Sequence, residues 1–176
     1  MAKEGELLAR LSSLEARFQA LEDEQAIRSL LVRYGFNADL GRLDAYLANW
    51  VDDCEYEQGV GRVLRGKPEL ATIMAPDGGA HKRHLENRSQ HMIANVVVQV
   101  MGDTAWAEGY SFVLYRSEGG YQIWSCACNQ WDFRREAGGW KIARRRRRAI
   151  GDDGSGGDVI HRYLADQGEA GEIDVG

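Results

Sequence analysis

The chain has 176 residues, 44% of them apolar and 28% charged, with a formal net charge of −5. That length allows one compact core burying roughly two-thirds of the unfolded surface, with room for an internal pocket. No stretch approaches the ~20 apolar residues of a membrane helix and the opening "MAKEGELLAR" lacks the apolar run of a secretory signal, so a cytoplasmic protein without membrane contact is expected.

In chain order, Leu7, Leu11, Leu14, Phe18 and Leu21 recur at spacings of four and three, a heptad seam on one helix. Two readings stay open for this stripe: a short coiled coil, or a helix lying on its own domain. A second helix is expected from about Asp23, with Ala26, Ile27, Leu30, Leu31, Tyr34 and Ala38 at helical spacing and a stop near Gly41. A third runs from Leu43 to Trp50. The period then becomes alternating. Cys54 to Gln58 and Arg62 to Leu64 form a hairpin through Gly59 and Gly61, and Lys67-Pro68 to Met74 suits a helix with proline in its first turn. Four long strands follow, Gln90 to Met101, Ala105 to Arg116, Tyr121 to Arg134 and Trp140 to Ile150, separated by glycine-containing turns. Helices first and a curled antiparallel sheet afterwards predict an α+β fold. Three segments are expected: the heptad helix (1–21), the α+β domain (22–150) and a Gly/Asp-rich linker with an acidic tail (151–176).

That last segment holds seven acids and one arginine, a charge of −6, which leaves +1 for the rest. A nucleic-acid-binding domain would be clearly basic, so none is expected despite the run Arg144 to Arg148. Along a strand that run divides into two faces. If Lys141, Ala143, Arg145 and Arg147 face a cavity, Trp140, Ile142, Arg144, Arg146 and Arg148 face away. Cys54, Cys126 and Cys128 make neither a CxxC pair nor an even framework and read as reduced core residues, not metal ligands. There is no GxGxxG, P-loop or HExxH, and no cofactor is expected.

The order of these elements, with "AIRSLLVRYGFNADLGRLDAYLANWVDDCEYE" leading into "HMIANVVVQV", "TAWAEGYSFVLY" and "GGWKIARRRRR", resembles the SnoaL-like branch of the nuclear transport factor 2-like superfamily over about residues 22 to 150. Within it the likeness is to the scytalone dehydratase, bile-acid dehydratase and hexachlorocyclohexane dehydrochlorinase group. The resemblance implies a cone of curled antiparallel sheet closed by N-terminal helices, a cystatin-like α+β barrel, and cofactor-free lyase activity. It also implies a site, because this group carries a tyrosine or lysine and an aspartate on the first core helix, a histidine opening the first long strand, and in several members an arginine after the last-strand tryptophan. Tyr34, Asp39, His91 and Arg145 fall on those positions.

The residue types suit that chemistry. Taking a proton from carbon needs a base that titrates near neutrality, as the His91 imidazole can, and a carboxylate on its other nitrogen would fix the tautomer. Asp39 would serve if the helix end lies over the strand mouth; alternatively it is a turn residue before Gly41. Tyr34 is offset from Asp39 by about 140° on the helix, so both border one cavity only if it is wide. Arg145 would be a fixed cation for a carboxylate, phenolate or departing anion. Tyr56 and Tyr110 could polarise an oxygen, though buried tyrosines are ordinarily packing residues. Trp106, Glu108, Tyr110, Phe112 and Leu114 share one face of their strand and Ser125, Ala127 and Asn129 one face of theirs. If both faces look inward they make an aromatic pocket in which Glu108 requires a partner such as Arg145.

The leading reading is therefore a dehydratase-like lyase, a homo-oligomer (dimer or trimer), acting on a small aromatic, polycyclic or steroid-like compound. A proton-transfer isomerase or carbon-carbon lyase would use the same residues. A non-catalytic subunit like a dioxygenase β-subunit, or a hydrophobic-ligand binder, are the readings from other classes.

Overall fold

The computed structural model describes residues 2–75, 81, 85–151 and 155–166. It opens with one helix, α1 (Ala2–Asp39), followed by α2 (Leu43–Leu47), β1 (Trp50–Gln58), β2 (Val63–Arg65), α3 (Gly66–Ala71) and a 3-10 turn at Thr72–Met74. The long strands are β3 (Ser89–Met101), β4 (Thr104–Ser117), β5 (Gly120–Glu136) and β6 (Gly139–Ala149); a 3-10 turn (Ser155–Val159) and α4 (Arg162–Asp166) end the described chain. Residues 152–154 of the expected linker and the tail from 167 lie outside the described residues. No helix among the described residues is long and apolar enough to cross a membrane.

The fold is α+β, as expected, with two local corrections. The two N-terminal helices are one, because no glycine or proline lies between Gly5 and Gly35 to interrupt the backbone hydrogen bonding. Trp50, expected to close a helix, starts β1 and pairs with Ile142. The sheet is also not wholly antiparallel. Its order is β2-β1-β6-β5-β4-β3, and β1 runs parallel to β6 while the other pairs are antiparallel.

Bulges curl this open sheet round α1. One extra residue on β3 lies between the Ala94–Tyr110 and Val97–Glu108 pairs, where Asn95 takes a positive φ of 51°. Gly109 lies opposite, and a Cβ there would come within 3.0 Å of the Ala94 carbonyl oxygen, so the bulge requires a residue without a side chain. A second bulge sits at Trp124 of β5 and a third at Ala143 of β6. Each moves the inward-facing set by one residue. On β3, His91 and Ile93 precede the bulge while Val96, Val98 and Val100 follow it, and the apolar members of both sets reach the core. On β6, Trp140 and Ile142 are buried in the core before Ala143, and Arg145 is buried after it. Trp140 and Ile142 therefore do not face away from Arg145, because the extra residue reverses the alternation.

The core lies between the second half of α1 and the concave sheet face: Ile27, Leu30 and Leu31 pack with Trp50, Trp131, Phe133 and Ile142. Asp23 anchors this half. Its carboxylate accepts the Trp140 indole N–H at 3.0 Å and the Arg135 guanidinium at 2.6 Å, and that guanidinium also stacks over the Trp140 ring. The hydrogen bond from Arg135 holds the Asp23 carboxyl below its usual range, against the opposing effect of burial. The first half of α1 touches none of this. Leu7, Leu11, Leu14, Phe18 and Leu21 are 47% to 64% exposed, so the heptad stripe does not lie on its own domain.

Truncating Asp23 to alanine leaves a buried indole N–H without an acceptor and is expected to lower stability by about 1–3 kcal/mol in chemical denaturation. Because the folded-state pKa is depressed, the wild-type advantage over Asp23→Ala is full above the ordinary carboxylate range and shrinks as the pH falls through the folded value.

Candidate active site

α1 ends on Asp39, beside the start of β3. The carboxylate accepts the His91 backbone N–H at 2.9 and 3.1 Å, the Ser89 hydroxyl at 2.8 Å and His91 Nδ1 at 2.6 Å. Gly35, one turn back, makes the approach possible: a Cβ there would lie 3.3 Å from the His91 carbonyl oxygen and 3.4 Å from its Cβ. A carboxylate only accepts, so the ring donates from Nδ1. The neutral imidazole then carries a lone pair on Nε2, the nitrogen turned away from Asp39. Asp39 is thus more than a turn residue.

His91 borders a cavity of about 380 Å³ that is also lined by Tyr34, Tyr46, Tyr56, His81 and Arg145. Tyr34 reaches it directly, whereas Asp39 acts from behind His91, which reconciles their angular offset on α1. On its other side His91 meets a groove of about 310 Å³ between α1 and the edge strand β3, lined by Arg28, Val32, Phe36 and Ile93 among others.

Arg145 is 5% exposed and faces only neutral partners. Its Nε and Nη2 donate to Asn129 Oδ1 at 3.0 and 2.6 Å, its Nη1 donates to the Tyr34 hydroxyl at 2.5 Å, and its guanidinium stacks against Tyr34, Tyr56 and Trp131 with centroids at 5.3, 5.0 and 5.6 Å. Asn129 donates in turn to Ser111 at 2.8 Å. It is fully buried and holds the arginine without bordering the cavity itself. The Tyr46 hydroxyl donates to that of Tyr34 at 3.3 Å. Tyr34 oxygen therefore accepts two bonds, from Arg145 and Tyr46, and its own O–H is left to point elsewhere. Burial pushes the Tyr34 phenol up while the Arg145 charge opposes the shift, and burial pushes Tyr46 up as well. Both phenols are protonated donors at neutral pH.

Three expected members of the pocket are elsewhere. Glu108, Tyr110 and Phe112 lie on the opposite face of β4 from Ser111 and Val113, which line the cavity. The concave side of a curled sheet filled by α1 and Trp131 has little room, so β4 turns Ala105, Ala107 and Ser111 inward and its bulk outward. Glu108 does not meet Arg145. It is buried on the outer face, accepting from Gln130 Nε2 at 3.1 Å and from the backbone N–H groups of Arg162 and Tyr163 at 3.0 and 3.1 Å. Those bonds, with Arg162 paired to Asp132 at 2.5 Å, dock the chain after β6 on the back of the sheet.

His81 is a cavity residue that sequence reasoning missed. It is 7% exposed, with neither ring nitrogen hydrogen-bonded among the described residues. Burial pushes its pKa down, and the neighbouring His91 adds to the effect. It lies between α3 and β3 in the chain, where no sequence periodicity marks an inward position. Among the described residues no group of three or more His, Cys, Asp or Glu side chains could hold a metal ion, and the three cysteines are unpaired.

Comparison with known proteins places this fold. The SnoaL-like domain profile matches residues 19–146. Among solved structures, the chain is similar to an NTF2-like protein with a cystatin-like fold from Novosphingobium aromaticivorans, with 32% identity over 85% of this chain and 96% of that one and a TM-score of 0.78. It is also similar to a protein of unknown function from Mycobacterium tuberculosis (26% identity, 72% and 76% covered, TM-score 0.64). The association domain of CaMKII from C. elegans shares the fold alone, at 13% identity over 73% of this chain and 97% of that one, with a TM-score of 0.62. No relative is found among curated proteins. The profile match over most of the chain, together with the Novosphingobium structure, shows that this protein belongs to the SnoaL-like domain family of the nuclear transport factor 2-like superfamily.

Proposed function

We propose that the protein is a cofactor-independent lyase that eliminates water from a small ring-bearing substrate. The observation that carries this reading is the pairing of Asp39 with His91 Nδ1 at 2.6 Å, which leaves Nε2 as a base at the wall of an aromatic cavity. Nε2 takes a proton from a substrate carbon, and the electron pair released forms the new carbon-carbon double bond. Asp39 holds the resulting imidazolium. On the far side the carbon-oxygen bond breaks and the departing oxygen takes the Tyr34 proton, so hydroxide leaves as water. The Tyr34 phenolate is stabilised by the Arg145 guanidinium already bonded to it, until the proton on His91 is returned through solvent. Tyr56 supplies a wall for the ring, and Asn129 keeps Arg145 in place.

Turnover of a panel of ring-bearing β-hydroxy ketones and β-hydroxy acids, followed as loss of water by mass spectrometry, tests the reading. His91→Ala is expected to reduce the rate by about 10²- to 10⁴-fold with an unchanged circular dichroism spectrum. Undiminished elimination in that variant would rule His91 out as the base, and product of unchanged mass would assign the site to isomerisation. Long-range proton-nitrogen NMR is expected to find the neutral His91 ring protonated on Nδ1. Asp39→Ala is expected to lose that preference and about 1–3 kcal/mol of stability, since it removes the acceptor for the Ser89 hydroxyl and the His91 N–H.

A further inference from the structure

Three guanidiniums border the cavity: the buried Arg145, Arg147 two residues further along the same strand, and Arg62 in the turn between β1 and β2. Two imidazoles accompany them, and no carboxylate lines the cavity among the described residues. The remaining arginines of the basic run are treated differently. Arg144 pairs with Glu55 at 3.4 Å, Arg146 with Glu57 at 3.2 Å, and Arg148 also with Glu57. Every arginine of the run that faces away from the cavity has a carboxylate, and the two that face it have none among the described residues. Arg145 meets an amide, a phenol and aromatic faces, while Arg147 donates to the Ser125 hydroxyl. Arg62 makes no ion pair among the described residues. The imbalance is local, because the chain as a whole carries −5. A cluster of like charges in a recess that also presents Tyr34, Tyr46, Tyr56 and Trp124 lowers the energy of an anion that enters it, and most strongly where guanidiniums can grip a planar carboxylate by two bonds.

We propose that the cavity takes an anionic, ring-bearing carboxylate, gripped by Arg147 with Arg62 closing from the exposed edge, so that the ring lies over Tyr56 towards Arg145 and His91. What becomes of the ligand rests on the lyase reading; its charge does not. The test uses 2-naphthoate and 2-naphthamide, which share a ring and differ in charge, in calorimetric titrations of the full chain. The wild type is expected to bind naphthoate at least about tenfold more tightly than the amide. Arg147→Gln is expected to remove most of that preference with little effect on the amide, and Arg147→Lys to restore part of it. Arg144→Gln, on the same strand, leaves the preference intact. Equal binding of the two compounds by the wild type, no detectable binding of naphthoate, or a preference that survives Arg147→Gln would overturn the proposal. In His91→Ala the preference is expected to persist. Intact turnover in that variant rules out His91 as the base and leaves the anion site standing.

A separate observation carries a second inference. In the heptad of α1, Leu7, Leu14 and Leu21 take the d positions and Leu11 and Phe18 the a positions, all solvent-exposed. Arg10 and Arg17 then fall at g, and Glu15 and Glu22 at e. In a parallel pair of helices g meets the partner's e five residues on, which sets Arg10 against Glu15 and Arg17 against Glu22; an antiparallel pair would set arginine against arginine and glutamate against glutamate. The seam points away from the face that Ile27, Leu30 and Tyr34 bury. Val32 and Phe36, also exposed, lie about five turns beyond Leu14 and Phe18 and continue it. We infer that a second copy of this chain docks here, parallel and in register. Leu7→Cys and Leu21→Cys, each alone, are expected to give disulfide-linked dimers on mild oxidation, with the wild type as control for the native cysteines. Cross-linking only when the two variants are mixed would show an antiparallel pair, and none in any sample would show no pair; either overturns the inference.

Discussion

The structure turns on a single carboxylate. Asp39 ends the one long helix among the described residues, and its oxygens are the acceptors for the first residues of the edge strand: a hydroxyl, a backbone N–H and a ring nitrogen. Helix and sheet would otherwise meet mainly through apolar packing, which is non-directional and tolerates sliding. The carboxylate replaces that tolerance with a fixed register. The bonds that close the helix onto the sheet are the same ones that set the imidazole tautomer, so folding and orientation of the ring are one event.

Sheet curvature has an equally direct bearing on chemistry. Each bulge adds a residue to one strand and so changes which side chains look inward beyond it. The bulge at Ala143 lets β6 contribute Trp140 and Ile142 to the apolar core and then Arg145 to the cavity, a sequence of inward residues that regular alternation cannot produce. The resulting cation has no counter-ion among the described residues. Its charge is spread over three aromatic faces, an amide oxygen and a phenol, which keeps it tolerable in the interior while leaving it able to answer a negative charge arriving from outside.

Much of this was legible in the chain and part of it was not, for identifiable reasons. The helices, the long strands and their glycine-containing turns were readable because period and turn residues are local signals. The approach of Asp39 to His91 was suggested only by resemblance, since the two stand 52 residues apart and nothing in spacing measures that distance. The phase of Trp140 and Ile142 was misread because a bulge of one residue leaves no mark in the pattern. Glu108, Tyr110 and Phe112 share one face of β4, and alternation alone does not say which face looks inward; the concave face is filled by a helix and a tryptophan. His81 was invisible, lying in a stretch without periodicity. The exposed stripe of α1 was visible as a heptad, but only the structure shows that nothing among the described residues covers it.

Gly35 has a consequence for how this protein can vary. Most positions along a solvent-facing helix accept alanine at a gain, since the methyl group restricts the unfolded chain and favours the helical form. Here the main-chain oxygen of His91 stands 3.3 Å from where that methyl would go. A substitution chosen to strengthen the rod would press on that oxygen and require the helix end and strand to part by a few tenths of an ångström, beside the contact between acid and imidazole.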